Sequence, residues 1–354
     1  MQLFFINIII PLNDILILPG RLQKSVAKQK VLTYLNNIRE KGDTMKKNLY
    51  TAAVILTAAI LSVASCGRSL YNFAQKSERG KASLVEKSIQ AGEHKIVYLE
   101  SGEDGEVIVL VHGFGGDKDN WTRFSRYINK GYRIIAPDLP GFGESSRIEG
   151  AFYDIETQTE RLRKFTEILG LKKFHLAGNS MGGWISANYA YRHKEQVLTL
   201  TLINAAGITS PVKSEMMALL EKGINPLLVN DLHDYDRLIN FLFVKPPYIP
   251  GSIKKEFALK AVEHRSFNNK IFHDLHKKPL KLETRLPGIK APSFVIWGDT
   301  DRVLHVSSVR VFTTGIKNSR SYILKGCGHL PMIERPKETA GVFINFISGK
   351  GPAD

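Results

Sequence analysis

The chain has 354 residues, 43% hydrophobic and 23% charged, with a formal net charge of +15. This composition excludes a disordered or fibrous chain and leaves ample sequence for a large core. Its two cysteines, Cys66 and Cys327, lie far apart and outside any C-x-x-C or Cys/His cluster, which excludes a cysteine-ligated zinc module. Part of the basic excess sits at the N-terminus, where residues 1–65 hold eight Lys/Arg and three Asp/Glu. A second part lies in 253–281, "IKKEFALKAVEHRSFNNKIFHDLHKKPLK". No nucleic-acid motif or aromatic-basic platform accompanies it, so it reads as a solvated face, with contact to anionic lipid as the alternative.

In chain order, the first distinct element is Met45-Lys46-Lys47, then an apolar run from Leu49 to Val63, then Val63-Ala64-Ser65-Cys66. A basic start, a short apolar stretch and small residues describe a secretory signal, and the run is short for a span of about 20 residues. Cysteine directly after the small residues resembles the lipobox of bacterial lipoproteins, which makes Cys66 the expected lipidation site. Residues 1–65 are therefore read as an over-extended start plus signal peptide, and 66–82 as a linker.

From residue 83 the chain alternates strand and helix patterns, which predicts an α/β fold with a mostly parallel sheet covered on both faces. Strand-like runs are "HKIVYLES" (94–101), "EVIVLVHG" (106–113), "YRIIAPD" (132–138), Phe174–Ala177, "VLTLTLINAAG" (197–207), "SFVIWGD" (293–299) and "RSYILKG" (320–326). A helix over 154–169 follows from Leu162, Phe165 and Leu169 at i, i+3 and i+7. Residues 208–285 carry helical segments but no core strand. They read as a cap inserted between two core segments, 83–207 and 286–350, over the sheet edge where α/β proteins place their sites.

The stretch "HLAGNSMGGW" (175–184) places Ser180 between an apolar strand and a glycine-rich helix start. Gly178-x-Ser180-x-Gly182 is a nucleophile elbow, in which a tight strand-to-helix corner exposes the serine hydroxyl. A serine nucleophile needs a base, an acid to orient it and donors for the developing oxyanion. His329, in "KGCGH" after a strand near the C-terminus, is the candidate base, with His305 as a second candidate. "VIWGDTDRV" offers Asp299 or Asp301 as the acid, and either gives the order Ser…Asp…His. "VHGFGGDKDNW" (111–121) supplies Gly113 and the backbone N–H of Phe114, which with that of Met181 forms the candidate oxyanion hole. His94, His193, His233, His264, His273 and His276 read as surface residues. "DLPGFGES" (138–145) reads as a structural turn.

These motifs together resemble α/β-hydrolase fold lipases and esterases. They are similar to the bacterial lipolytic family V, which includes cold-adapted lipases, and to monoacylglycerol lipases of the α/β-hydrolase-domain type. In that group's W-G-x-x-D pattern the acid is the third residue after the glycine, so the resemblance selects Asp301. It implies a serine carboxylester hydrolase acting on acylglycerol or similar apolar acyl esters, with no metal or organic cofactor. With the lipobox it implies a monomer anchored at a membrane surface through Cys66, in the bacterial cell envelope or otherwise secreted, with no nucleic-acid partner. Two other readings stand beside it: a carbon–carbon bond hydrolase of the meta-cleavage product type, and a non-catalytic membrane-anchored lipid-binding protein.

Overall fold

The computed structural model describes residues 67–350 apart from 103 and 278, so the signal-type segment and Cys66 lie outside the described residues. Two compact units are distinguished. One comprises residues 67–74, Val229–Tyr235 and Ile249–His264, and the other Gln75–Leu228, Asp236–Tyr248 and everything from Arg265.

Where the sequence suggests a linker, residues 67–81 form helix α1. The following strands are β1 (Leu84–Ala91), β2 (His94–Ser101), β3 (Glu106–Val111) and β4 (Tyr132–Pro137). Helix α2 (Ile155–Ile168), β5 (Phe174–Asn179), α3 (Met181–Arg192) and β6 (Val197–Ile203) continue the alternation. Four helices then interrupt it: α4 (Glu215–Leu220), α5 (Leu232–Leu242), α6 (Gly251–Glu263) and α7 (Arg265–Lys277). The alternation resumes with β7 (Ser293–Gly298), α8 (Ser308–Gly315), β8 (Ser319–Leu324) and α9 (Pro336–Ile347).

The eight strands form one sheet in the order β1-β2-β4-β3-β5-β6-β7-β8. Only β1–β2 and β2–β4 pair antiparallel. Strand β1 carries no apolar run and is largely exposed, so its strand character comes from pairing with β2 along all eight residues. The central strands are buried on both faces, as β5 and β7 show at every position. Alternate residues of β3 divide between two apolar clusters. Val109 and Val111 pack with Leu162, Phe165, Ile185 and Phe312 of α2, α3 and α8, while Ile108 and Leu110 pack with Trp121, Phe124 and Phe343 on the opposite face. In the smaller unit Tyr71 of α1 is buried, with its ring edge-on to Phe257 of α6 at 5.0 Å. Lys260 of α6 donates to the Tyr71 hydroxyl at 3.0 Å. One histidine departs from the surface reading: His94 is 2% exposed, because it opens β2 with its ring against Tyr153.

The loop after β3 is held by a buried charge cluster. Lys118 and Asp138 are 2% and 0% exposed, and the Lys118 Nζ lies 2.9 Å from Asp138 Oδ2. Asp138 also accepts from the backbone N–H of Lys118 at 2.7 Å and of Glu144 at 2.8 Å. Burial alone would favour the neutral amine, but Asp138, first among the surrounding carboxylates, raises Lys118 above the ordinary lysine range. The loops 112–121 and 138–145 are thereby joined, and the second is the structural turn its sequence suggests. At the start of the first loop His112 is fully buried, and its Nε2 accepts from the Leu139 N–H at 3.0 Å. Its Nδ1 therefore carries the proton and donates to the Gly113 carbonyl at 2.8 Å.

Two outcomes follow. Lys118→Met strands the Asp138 carboxylate in the interior and should cost about 3–5 kcal/mol in a urea melt, whereas a loss under about 1 kcal/mol would show that the loops hold without the pair. Burial also holds the His112 imidazole down at about 4, against an ordinary 6.5, so its stabilising contribution is present above pH 6.5 and is lost as pH falls through 4. The wild type should then lose about 3 kcal/mol more than His112→Gln between pH 7 and 4, and parallel pH–stability curves would contradict the assignment.

Candidate active site

Ser180 sits where β5 meets α3, with φ 54° and ψ −120°, a left-handed corner rare for a residue with a side chain. The corner is held from three directions. The Ser180 N–H donates to Ile203 O at 3.1 Å, and its carbonyl accepts from Trp184 N at 3.1 Å and Ala206 N at 3.0 Å. A Cβ at Gly178 would overlap the Gly182 carbonyl, and one at Gly182 would overlap the Val111 carbonyl, so only glycine lets strand and helix approach this closely. Because of the second approach, the N-terminus of α3 lies directly against the end of β3.

The candidate oxyanion loop therefore borders Ser180. A Cβ built on Gly113 would lie 3.1 Å from Ser180 Cβ. The Gly113 carbonyl accepts from His112 Nδ1 at 2.8 Å and from Gly116 N at 3.2 Å. Because the peptide is planar and trans, fixing that carbonyl also fixes the direction of the Phe114 N–H in the same plane. The Phe114 ring packs edge-on against Phe142 and Phe272, at 5.8 and 5.7 Å. Met181 is the first residue of α3, where backbone N–H groups point out of the helix end.

His329 and Asp301 meet on the loops after β8 and β7. His329 Nδ1 donates to Asp301 Oδ2 at 2.8 Å, which leaves Nε2 as the acceptor nitrogen. The other carboxylate oxygen, Oδ1, accepts from Val303 N at 2.7 Å and Leu304 N at 3.0 Å. Ser180 is 9%, Asp301 5% and His329 4% exposed, so the group lies in a largely water-excluded setting. Asn179, next to the serine, donates from Nδ2 to the His329 carbonyl at 3.1 Å and joins the His329 loop to the elbow. The Ser180 hydroxyl itself makes no hydrogen bond to the imidazole, a contact that in such sites often closes only around substrate.

The two second candidates fall elsewhere. Asp299 accepts from Gly326 N at 2.7 Å and Thr300 Oγ1 at 2.9 Å, which is turn chemistry. His305 Nδ1 contacts Ser307 Oγ at 3.0 Å. Cys327 is fully buried, and burial pushes its thiol up to about 12, so it packs rather than reacts. Among the described residues, Asp231, His233 and Asp234 form the one group of three side chains placed to share a metal ion. Its hydrogen bonds are those of a helix start: Asp231 accepts from Asp234 N at 2.8 Å, and Asp234 accepts from Asn230 N at 3.0 Å.

Sequence reasoning missed three buried polar residues here: His112, Asn179 and Asn204. The first two stand inside motifs that were singled out, but Asn204 ends "VLTLTLIN" with no motif to mark it. Its Nδ2 donates to Asp301 Oδ2 at 2.7 Å.

The alpha/beta hydrolase fold family matches residues 106–246. Lipase 1 of Psychrobacter immobilis is 38% identical over 277 residues, covering 77% of this chain and 86% of the relative. Monoacylglycerol lipase abhd6-B of Xenopus laevis is 31% identical over 74% of this chain and 82% of its own length. A crystal structure described as a membrane phospholipase A, a novel bacterial virulence factor, superposes with a TM-score of 0.82 and 43% identity over 86% of this chain and 98% of that one. With this fold, this elbow and these relatives, the chain belongs to the α/β-hydrolase fold family, among its lipases, and is a carboxylic ester hydrolase.

Proposed function

We propose that the chain cleaves acylglycerols or similar apolar acyl esters through an acyl-enzyme on Ser180. The observation that carries this reading is the buried 2.8 Å hydrogen bond from His329 Nδ1 to Asp301, which leaves Nε2 free to take a proton. In the reaction, Ser180 Oγ attacks the ester carbonyl carbon while His329 Nε2 accepts the hydroxyl proton. Asp301 keeps the imidazole in the required tautomer and stabilises the imidazolium. The carbonyl oxygen becomes an oxyanion held by the N–H groups of Phe114 and Met181. Collapse of the tetrahedral adduct breaks the C–O bond, and the alcohol leaves with the proton from His329. Water then repeats the sequence, with His329 as base, and releases the acid and Ser180.

The core in this reading comprises 83–207 and 286–350, and 208–285 is a cap whose Met216, Met217, Phe241 and Phe243 supply apolar surface for an acyl chain. The chain acts as a monomer held at the bacterial cell envelope by a lipidated Cys66, facing small-molecule lipid substrates. The membrane phospholipase A relative adds diacyl phospholipid to the ester classes worth assaying.

Hydrolysis of p-nitrophenyl esters from C2 to C16, monoacylglycerol and phosphatidylcholine tests the chemistry. Ser180→Ala should lose about 10⁴-fold or more in kcat, and Asp301→Asn about 10⁴-fold, with a folded protein in each case. A folded wild type with no activity on any ester would overturn the reading and favour carbon–carbon hydrolysis or passive lipid binding. For the anchor, metabolic labelling with a palmitate analogue should mark the wild type and leave Cys66→Ala unlabelled and in the soluble fraction. Equal membrane retention of both would contradict lipidation.

A further inference from the structure

We propose that Asn204 is a positioning residue for the catalytic acid, an inference that rests on the Ser180–His329–Asp301 reading above. Asn204 is fully buried at the end of β6, and its φ of 45° is one of three positive values among the described residues that carry a side chain. Asparagine is among the few residues that tolerate this backbone, because its short polar side chain bonds locally. Here that backbone serves a purpose: it turns the carboxamide away from the sheet and toward the loops beyond β7 and β8.

Both ends of the carboxamide are used. Nδ2 donates to Asp301 Oδ2 at 2.7 Å and lies 3.5 Å from the Gly328 carbonyl, one residue before the base. Oδ1 accepts from Gly298 N at 3.3 Å, at the end of β7. One side chain thus connects the strand behind the nucleophile, the loop of the acid and the loop of the base. The Asn204 N–H donates to Ile296 O at 2.9 Å, so the anchor itself is fixed in the sheet.

The consequence for catalysis lies in which carboxylate oxygen is held. Oδ1 is secured by Val303 and Leu304 N–H groups, whereas Oδ2 faces His329, which gains and loses a proton in every turnover. Without Asn204, Oδ2 would have the imidazole as its one side-chain partner, and the carboxylate could turn about its Oδ1 contacts when the imidazole changes charge. A carboxamide donor does not titrate near neutral pH, so it holds Oδ2 through both states.

The test compares two variants in the full chain. Asn204→Gly removes the carboxamide and accepts the left-handed backbone without strain. Asn204→Asp keeps the shape, the backbone tolerance and the acceptor for Gly298, and replaces the donor with a second carboxylate facing Asp301. Both should fold, lower kcat about 10- to 100-fold and leave KM within about twofold, because only the geometry of proton transfer is disturbed. The Asp variant should lose at least as much as the Gly variant, and the downfield proton resonance of His329 Nδ1–H should move in both. Wild-type kcat with an unmoved resonance in either variant overturns the proposal, as does unfolding of both, which would make Asn204 a structural strut. A fluorophosphonate probe separates the two levels of inference. Wild type that labels on Ser180 leaves the catalytic reading standing whatever Asn204 does, and wild type that fails to label removes that reading itself.

Discussion

Much of the architecture depends on the left-handed backbone of Ser180. A side chain in that region costs on the order of 1–3 kcal/mol, and it persists only where the surroundings dictate it. Here they do: three backbone hydrogen bonds reach Ser180 from Ile203, Ala206 and Trp184, and the glycines at 178 and 182 let β3, β5 and α3 converge on the corner. The helix that begins there is flanked on its sheet side by buried strands, so the corner cannot relax without disturbing β5, β6 and α3 together. Strain at the serine is therefore held by the buried strand and helix residues on either side of it.

Around that corner the sheet ends are tied by polar groups rather than apolar ones. The Lys118–Asp138 pair secures the loop after β3, and the carboxylate of Asp301, with donors on both oxygens, secures the loop after β7. Buried charge is expensive unless it is fully coordinated. That cost makes such clusters specific, because a loop shifted by even one residue would leave a carboxylate without donors. Apolar contacts alone would hold the same loops less selectively, since leucine and phenylalanine tolerate sliding. Placing the polar ties at the carboxyl ends of the strands and the apolar mass between sheet and helices divides the work between registration and stability.

Much of this was legible in the chain. The β-branched runs "EVIVLV" and "SFVIW" announce strands buried on both faces, and the glycine spacing around Ser180 announces the elbow, because these signals are local in sequence. The order Ser180, then Asp299 or Asp301, then His329 was legible too, through "WGDTD" and "GCGH". Strand β1 was not: "LVEKSIQA" has an exposed, polar pattern, and β2 supplies its partner. Helix α1 was hidden in the same way, since the burial of Tyr71 depends on Phe257, far along the chain.

The sequence by itself determined the fold class, the elbow and the kinds of residue that surround it, because strand periodicity, glycine spacing and loop motifs are each written within a few consecutive positions. Only the tertiary structure separates Asp299 from Asp301 by their contacts, placing the first in a turn with Gly326 N and the second against His329. Only the tertiary structure, likewise, brought His112, Asn179 and Asn204 into the site. Their roles arise from hydrogen bonds to Leu139, His329 and Asp301, separated from them by 27, 150 and 97 positions in the chain. A hydrogen bond of that kind leaves no periodicity or motif in sequence, because its geometry exists only once the sheet has brought its strand ends together.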